Sequence, residues 1–285
     1  MARITGTTRL AGLIGWPVAH SRSPRLHNHW LERCRIDGAY LPLPVRPGAL
    51  PEAVRGLRAA GFAGCNVTLP HKEEAFRLCD TLDDTAEAAG ACNTLVFAGD
   101  EIRGSATDGP GFIAGLAEAG VDPAAGPVLL LGAGGAARCI ASALRDAGAP
   151  AITIANRDLG RAETLAAAVP GARAVPWERR TGVLADAALL VNATSGGMDG
   201  KPPLDMPLDR AQPALAVADI VYVPLETALL AEARSRCLRS TIDGLGMLLH
   251  QARPGFAAWF GTWPPADDQA RAVLLEPGRE AERCA

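Results

Sequence analysis

Residues 128–138 read Val128-Leu-Leu-Leu-Gly132-Ala-Gly134-Gly135-Ala-Ala137-Arg138. Four apolar residues followed by a glycine-rich turn predict a buried strand that leads into a helix. In this G-x-G-x-x-A pattern, Gly132 permits the tight turn, Gly134 lets the backbone approach a pyrophosphate, and Ala137 keeps helix and strand close. The start of the helix offers N–H groups and a positive dipole end to phosphates. The stretch therefore predicts a dinucleotide-binding unit.

The next predicted strand, near residues 151–155, indicates which dinucleotide binds. An NAD site usually ends this strand in Asp or Glu, whose carboxylate accepts the ribose hydroxyls. Here the strand ends in Asn156-Arg157, with Arg161 one turn later. Two guanidinium groups can bind the additional phosphate of NADP, whereas an inward-facing Asp158 would repel it. We expect NADP rather than NAD; the alternative is that both arginines only solvate the start of a helix.

Strand-like and helical stretches alternate along the whole chain, which predicts an α/β fold with largely parallel strands. One series ends in a hairpin that turns at Gly99-Asp100, and a second series follows a linker expected at 120–126. We predict two domains. An N-terminal substrate-binding α/β domain takes residues 1–108 and is completed by C-terminal helices at 245–285. A Rossmann-type NADP-binding domain with a parallel sheet takes 109–244.

The composition excludes several classes of protein. The chain has 285 residues, 48% of them apolar, and a net charge of −3, which is typical of a soluble globular protein and not of a nucleic-acid binder. No apolar run is long enough to span a bilayer. The 7 cysteines include no C-x-x-C pair, which fits reduced thiols in a cytoplasm. We expect no metal, no membrane and no nucleic acid as partners.

The 28 basic residues consist of 26 Arg and two Lys, Lys72 and Lys201. Arg does not lose its proton in proteins, so a proton-transfer site cannot use Arg in place of Lys. Lys72 closes Asn66-Val-Thr-Leu-Pro-His-Lys72, which follows a predicted strand, and open α/β sheets bind ligands at that end of their strands. Lys201 lies in a polar loop. Lys72 is therefore the candidate for proton transfer.

Other polar residues near predicted strand ends have ordinary structural interpretations. Asp108 follows the hairpin's second strand and precedes a helix, so it is a candidate helix N-cap as well as a candidate catalytic group. Asn93 and Ser23 fit a turn and a helix start. We interpret His27 as structural, because the spacing of the nearby histidines fits no metal site.

Several short motifs occur in order between residues 9 and 252. They are Gly15-Trp-Pro17-x-x-His20-Ser21-Arg-Ser23-Pro24-x-x-His27-Asn28, Asn66-Val-Thr-Leu-Pro-His-Lys72, Ala89-Gly-Ala-Cys-Asn93-Thr94, Thr107-Asp108-Gly109, Gly132-Ala-Gly-Gly-Ala136, Asn156-Arg157, Asn192-Ala-Thr-Ser195, Asp219-Ile-Val-Tyr222-x-Pro224 and Asp243-Gly-Leu-Gly-Met-Leu-Leu-His-Gln251. Together these motifs resemble the shikimate dehydrogenase family.

The resemblance implies hydride transfer between NADP(H) and shikimate or 3-dehydroshikimate, a step of aromatic amino-acid biosynthesis. It implies that Lys72 and Asp108 are the catalytic residues. The implied substrate-binding residues are Ser21, Ser23, Thr68, Lys72, Asn93, Asp108, Tyr222 and Gln251. The implied cofactor-binding residues are Gly132, Ala133, Gly134, Gly135, Ala136, Asn156, Arg157, Arg161, Ile220, Gly244 and Asp84.

Some positions depart from the family's usual pattern. Cys92 stands where Val is usual, Ala106 where Asn is common before Thr-Asp, and Asp158 where Thr or Ser is usual. One alternative is a quinate/shikimate dehydrogenase, or a paralogue that uses NAD or a related cyclohexene carboxylate. An alternative from another class is a non-catalytic NADP-binding regulator. The sequence leaves open whether the chain is a monomer or a homodimer.

Overall fold

The computed structural model describes residues 4–276, and the chain forms two compact units. The first unit takes the chain up to Thr107 and again from Leu249, and the second takes Asp108–Leu248. Each unit contains a six-stranded sheet flanked by helices. The predicted α/β fold class is confirmed.

The first unit contains most of its strands and helices before residue 107. In chain order they are β1 Arg9–Gly15, α1 Ser23–Arg33, β2 Gly38–Pro44, α2 Leu50–Ala59, β3 Gly64–Val67, α3 Lys72–Leu78, β4 Thr81–Leu82, α4 Asp84–Ala89, β5 Thr94–Ala98 and β6 Glu101–Ser105. The sheet order is β2-β1-β3-β5-β6-β4. β5 and β6 form the predicted antiparallel hairpin, in which Phe97 pairs with Ile102.

The strand directions bring four chain segments to one edge of this sheet. β1 and β3 are parallel, β5 is antiparallel to β3, and β6 is antiparallel to β5. The carboxyl ends of β1, β3 and β6 therefore lie at the same edge as the amino end of β5. Thr68, Asn93 and Thr107 occupy those ends. This is the edge at which the sequence placed the polar motif residues of the first domain.

The second unit begins with α5 Asp108–Glu118. Its further elements are β7 Val128–Leu131, α6 Gly135–Asp146, β8 Ile152–Asn156, α7 Leu159–Ala168, β9 Ala172–Pro176, α8 Arg180–Val183, β10 Leu189–Asn192, β11 Ala216–Asp219, α9 Ala228–Ser235 and β12 Ser240–Ile242. Two helices complete the described chain, α10 Gly244–Phe260 and α11 Asp268–Leu275.

The second sheet has the strand order of a Rossmann fold. Its strands run β9-β8-β7-β10-β11-β12 and every pair is parallel. The order reverses between β7 and β10, and doubly wound sheets bind ligands outside the carboxyl ends of the strands at that point. Leu130 packs into one buried cluster and Leu129 into another, so both faces of β7 are covered. Burial on both faces explains the uninterrupted apolar run in the sequence.

The division between the units falls between Thr107 and Asp108, one residue from the predicted division after residue 108. Two details differ from the prediction. The linker expected at 120–126 lies inside the second unit, where Val121 is buried. Residues 245–248, expected in the substrate domain, belong to the second unit. The cause is a close helix contact, because a Cβ on Gly246 would lie 3.1 Å from the Cα of Gly115 in α5.

An aromatic cluster forms part of the first unit's core. His27 of α1 stacks on Tyr40 with ring centroids 3.9 Å apart, and Trp30, Phe256 and Trp259 surround the pair. Neither ring nitrogen of His27 has a hydrogen-bond partner among residues 4–276. Burial lowers the pKa of His27 from 6.5 to about 3. The side chain is therefore a neutral packing group, consistent with its structural interpretation.

Acid should destabilise the protein through His27. Between pH 6.5 and about 3 the unfolded chain protonates this imidazole and the folded protein does not. The free energy of unfolding therefore decreases as the pH is lowered through this range. The contribution is about 1.4 kcal/mol per pH unit. We expect His27→Leu to have a weaker pH dependence of stability than the wild type, measured by urea unfolding with tryptophan fluorescence from pH 7 to 5.

The exposed His20 provides the matched control, because His20→Leu removes a histidine without touching the aromatic cluster. This variant should keep the wild-type pH dependence. Equal pH dependence in the wild type and His27→Leu would refute a neutral, buried His27.

Candidate functional site

Three buried side chains form a hydrogen-bonded group at the polar edge of the first sheet. The amide of Asn93 donates to Thr107 Oγ1 at 2.9 Å and to Gln251 Oε1 at 3.2 Å. The backbone N–H of Thr107 donates to Asn93 Oδ1 at 2.7 Å. The Thr107 hydroxyl also lies 2.8 Å from the carbonyl oxygen of Gln251, which it can donate to. These bonds connect the start of β5, the end of β6 and α10.

A second set of buried polar groups supports Asn93 from the interior. The Tyr40 hydroxyl donates to Asn66 Oδ1 at 2.6 Å, and the Asn66 amide donates to Thr94 Oγ1 at 2.9 Å and to the Asn93 carbonyl at 3.1 Å. The sequence motifs indicate no individual role for Tyr40, Asn66, Thr94 or Thr107. An Asn inside the apolar strand β3 was a usable signal for Asn66, whereas nothing in the sequence marked Tyr40.

Lys72 is the first residue of α3 and is buried at the same edge of the sheet. Its carbonyl accepts a hydrogen bond from the Cys92 N–H at 3.0 Å, which connects the start of α3 to the residue before Asn93. The preceding residue, His71, is also buried, and its Nε2 lies 2.8 Å from the Val45 carbonyl. The backbone that carries the ammonium group is therefore fixed from two sides.

The loops after β1 and β3 lie side by side. The Thr68 N–H donates to the Ile14 carbonyl at 2.8 Å, and the Ser23 N–H donates to Ser21 Oγ at 3.3 Å. A Cβ on Gly15 would lie 2.4 Å from the Thr68 side chain. Only glycine at position 15 allows Thr68 its place, so the fold itself requires this motif residue.

The first unit thus brings most of the predicted substrate-binding residues to one sheet edge, namely Ser21, Ser23, Thr68, Lys72, Asn93 and Gln251. Two others belong to the second unit: Asp108 is the first residue of α5, directly after Thr107, and Tyr222 follows β11. Asp84 begins α4 and is exposed.

In the second unit, the structure requires glycine at only one of the two glycine positions of the G-x-G turn. Gly132 has φ +112°, and a Cβ there would approach the Ala193 carbonyl to 3.0 Å, so the turn itself requires glycine. Gly134 caps α6 with φ −89°, and a Cβ there would meet nothing within 4 Å. The fold does not require glycine at 134, and the open space beside it lies at a helix N-terminus. This arrangement fits the pyrophosphate of a dinucleotide.

The groups after β8 are those that the sequence predicts to bind the additional phosphate of NADP. The Asp158 carboxylate caps α7 by accepting the Arg161 N–H at 3.2 Å, and the Asn156 amide donates to the Asp158 carbonyl at 2.9 Å. Capping occupies a carboxylate oxygen and places the negative charge at the positive end of a helix dipole. This reduces the repulsion that the Asp158 carboxylate would exert on the additional phosphate of NADP. Arg157 and Arg161 are exposed.

A crevice in the second unit brings Ile220 and Gly244 together. A Cβ on Gly244 would lie 2.3 Å from the Ile220 carbonyl, so only glycine permits this approach. Asp219 lines the same crevice and accepts hydrogen bonds from Thr227 at 2.8 Å and Asn192 at 2.9 Å. Burial raises the pKa of the Asp219 carboxyl, and these hydrogen bonds act in the opposite direction. Asp219 holds the loop that carries Ile220.

The second unit defines a nucleotide-binding α/β protein, and comparison with known proteins is more specific. Residues 13–95 match the shikimate dehydrogenase substrate binding domain, and residues 116–198 match the shikimate / quinate 5-dehydrogenase model. The NADP(+) shikimate dehydrogenase of Acidiphilium cryptum is 60% identical over 96% of this chain and 98% of its own length. The chain belongs to the shikimate dehydrogenase family.

Solved structures of proteins with similar sequences support the same family assignment. Shikimate 5-dehydrogenase of Thermus thermophilus, solved with NADP(H) and shikimate, is 37% identical, with a TM-score of 0.85 over 93% of this chain and 98% of its own. Quinate dehydrogenase of Corynebacterium glutamicum, solved with NAD, is 30% identical, with a TM-score of 0.86 over 94% of this chain and 99% of its own. The fold is therefore shared by relatives of both specificities.

None of the helices within residues 4–276 is long and apolar enough to cross a membrane.

The Thr107 hydroxyl should be needed for the stability of the polar edge. Thr107→Val keeps the shape of the side chain and removes the buried hydroxyl that accepts from the Asn93 amide and donates to the Gln251 carbonyl. We expect a loss of about 1–3 kcal/mol in the free energy of unfolding, measured by urea titration. Thr107→Ser retains the hydroxyl and should lose less. No loss in Thr107→Val, or a larger loss in Thr107→Ser, would show that the methyl group matters more than the hydroxyl.

Proposed function

We propose that this chain is an NADP-dependent shikimate dehydrogenase, an oxidoreductase that interconverts shikimate and 3-dehydroshikimate in aromatic amino-acid biosynthesis. The observation that carries the proposal is the buried Lys72 on a sheet edge that also presents hydroxyl and amide side chains. Such groups suit a small polyol that carries a carboxylate. The comparisons with relatives named for shikimate and NADP(+) support the same substrate and cofactor.

The reaction needs a proton at the oxygen that changes between carbonyl and hydroxyl. Bound NADP(H) supplies the hydride, and the second unit binds it through the residues from Gly132 to Ala136. As negative charge develops on the substrate oxygen, the Lys72 ammonium stabilises it and donates a proton; in the oxidation direction the neutral amine takes that proton back. Acid–base help of this kind contributes about 10²–10⁴-fold.

Asp108 completes the proposed catalytic pair. Its carboxylate would orient the Lys72 ammonium and accept a hydrogen bond from a substrate hydroxyl. The buried Thr107 immediately before it is held by Asn93 and Gln251, which limits the freedom of the backbone that presents Asp108. Ser21, Ser23, Thr68, Asn93, Tyr222 and Gln251 are proposed to bind the remaining polar groups of the substrate.

The preference for NADP is assigned to Arg157 and Arg161, which would bind the additional phosphate, with Asn156 at the adjacent ribose. Ile220 and Gly244 are proposed to line the nicotinamide, and Asp84 to make a peripheral cofactor contact. The enzyme is expected to act in the cytoplasm, as a monomer or homodimer, on a small-molecule substrate and without nucleic-acid or membrane partners. The 6 cysteines in the described part of the chain are all free thiols, which fits a reducing compartment.

Turnover of shikimate and quinate, each with NADP⁺ and with NAD⁺, tests the assignment. Reduced nicotinamide is followed at about 340 nm. The proposal expects the highest kcat/KM for shikimate with NADP⁺. A clear preference for quinate with NAD⁺ would replace it by the quinate alternative, and NADP⁺ binding without any hydride transfer would identify a regulator.

Removal of the Lys72 ammonium should reduce turnover far more than substrate binding. We expect Lys72→Met to lower kcat about 10²–10⁴-fold with a smaller change in the KM for shikimate. Lys201→Met is the matched control, because Lys201 is the only other lysine of the chain and is exposed. Near-normal kcat in Lys72→Met would exclude the proposed proton-transfer role.

Arg157 should discriminate between the two cofactors. We expect Arg157→Ala to raise the KM for NADP⁺ by about 10-fold or more, since a charge-assisted hydrogen bond is lost, and to leave the KM for NAD⁺ nearly unchanged. The exposed Arg210 serves as control, because Arg210→Ala removes the same charge elsewhere in the second unit. Equal increases for NADP⁺ and NAD⁺ would place Arg157 outside the phosphate site.

A further inference from the structure

Two cysteine thiols face each other next to the Lys72 segment. Cys79 directly follows α3, and its Sγ lies 3.9 Å from the Sγ of Cys92. Cys92 directly precedes Asn93 and donates its N–H to the Lys72 carbonyl. The pair therefore connects the end of the helix that begins with Lys72 to the residue before Asn93.

A glycine on the neighbouring strand makes room for both sulfur atoms. A Cβ on Gly104 of β6 would lie 2.4 Å from Cys79 Sγ and 2.7 Å from Cys92 Sγ. The two thiols thus occupy one small space, Cys92 buried and Cys79 partly exposed. Cys79 is accessible to a small oxidant, and Cys92 is placed to react with it.

We propose that Cys79 and Cys92 are a peroxide-sensitive thiol pair, whose oxidation to a disulfide reversibly lowers the activity of the first unit's site. Only the activity part of this inference rests on the proposed function. The bond itself is a property of the two cysteines. The hydrogen bond with Cys92 lowers the pKa of the Cys79 thiol, which favours the reactive thiolate at Cys79.

The chemistry balances with a peroxide as oxidant. The Cys79 thiolate attacks one peroxide oxygen, the O–O bond breaks, and Cys79 becomes a sulfenic acid while hydrogen peroxide yields water. The Cys92 sulfur then attacks Cys79 Sγ, the S–O bond breaks, and a second water leaves. Two thiols and one peroxide thus give one disulfide and two waters. A dithiol reductant reverses the bond by exchange.

The effect on activity follows from the length of a disulfide. The sulfurs must move from 3.9 Å to about 2.05 Å apart, and the bond then constrains the end of α3 and the Cys92 backbone relative to each other. Lys72 and Asn93 are attached to those segments. A misplacement of about 1 Å in such a site can cost about 10²-fold. We therefore expect kcat/KM to fall about 10²-fold on oxidation and to recover with dithiothreitol.

Mass spectrometry tests whether the disulfide forms and needs no activity assay. Trypsin cuts after Arg77 and Arg103, so one peptide, 78–103, holds both cysteines. After hydrogen peroxide treatment and alkylation, the expected peptide carries no alkyl group and is lighter than the reduced peptide by two hydrogens. Two alkylated cysteines in this peptide, at peroxide doses that oxidise the exposed Cys237, would overturn the proposal.

Variants test the connection to activity. Cys92→Val and Cys79→Ser cannot form the bond, and both should keep their activity through peroxide treatment; two variants guard against one folding poorly. Cys237→Ser retains the pair and should stay peroxide-sensitive. Inactivation of Cys92→Val to the wild-type extent, or a formed disulfide with unchanged kcat/KM, would refute the switch. A wild type inactive on shikimate would count against the proposed function, while the peptide mass would still decide the thiol pair.

Discussion

The buried amide of Asn93 is the group on which the first unit's site depends. An amide without partners in a buried place costs about 1–3 kcal/mol per unmade bond, so its position is fixed by where its partners stand. Those partners come from two separate parts of the chain, at Thr107 and Gln251, and Asn66 holds the backbone of the same residue by donating to the Asn93 carbonyl. The same bonds that satisfy the amide therefore assemble the edge at which Lys72 is placed. Folding and site formation are one process in this unit, because the polar groups cannot be buried unless they are assembled.

In the second unit, close contacts between backbone segments, rather than buried hydrogen bonds, bring the parts of the candidate site together. The Rossmann turn needs Gly132 against the Ala193 carbonyl, and the crevice needs Gly244 against the Ile220 carbonyl. A side chain at either position would separate segments that the sheet order brings to the same place. Gly134 is different, because its surroundings are open. Steric need explains the first two glycines, whereas the fold gives no steric reason for the third, which is the one that the proposed cofactor would approach.

The sequence predicted the features that depend on neighbouring residues. The apolar run of β7, the turn after it, the hairpin and the family motifs are local patterns. Lys72 stands out in the sequence as one of two lysines and follows a predicted strand, whereas Thr68 and Asn93 are assigned to the site only by the family motifs. Features set by distant packing were missed. The short edge strands β9 and β12 carry weak patterns, and the role of Tyr40 depends on its contact with Asn66. The misplaced linker has the same origin: α5 packs on α6, where a Cβ on Gly109 would lie 2.5 Å from the Cys139 carbonyl, and no local signal announces that contact.

The two buried cations of the described chain show why one is arginine and the other lysine. Arg180 donates to the carbonyl and carboxylate of Asp205 and to the Trp177 carbonyl, so its planar group holds a loop with several fixed bonds. That use suits a charge that never leaves. A group that gives a proton to a substrate oxygen must also exist in the neutral form, which an ammonium can reach and a guanidinium cannot. With the proposed role of Lys72, a chain that uses Arg for nearly every positive charge still needs Lys at position 72, because the proton itself would be the reagent there.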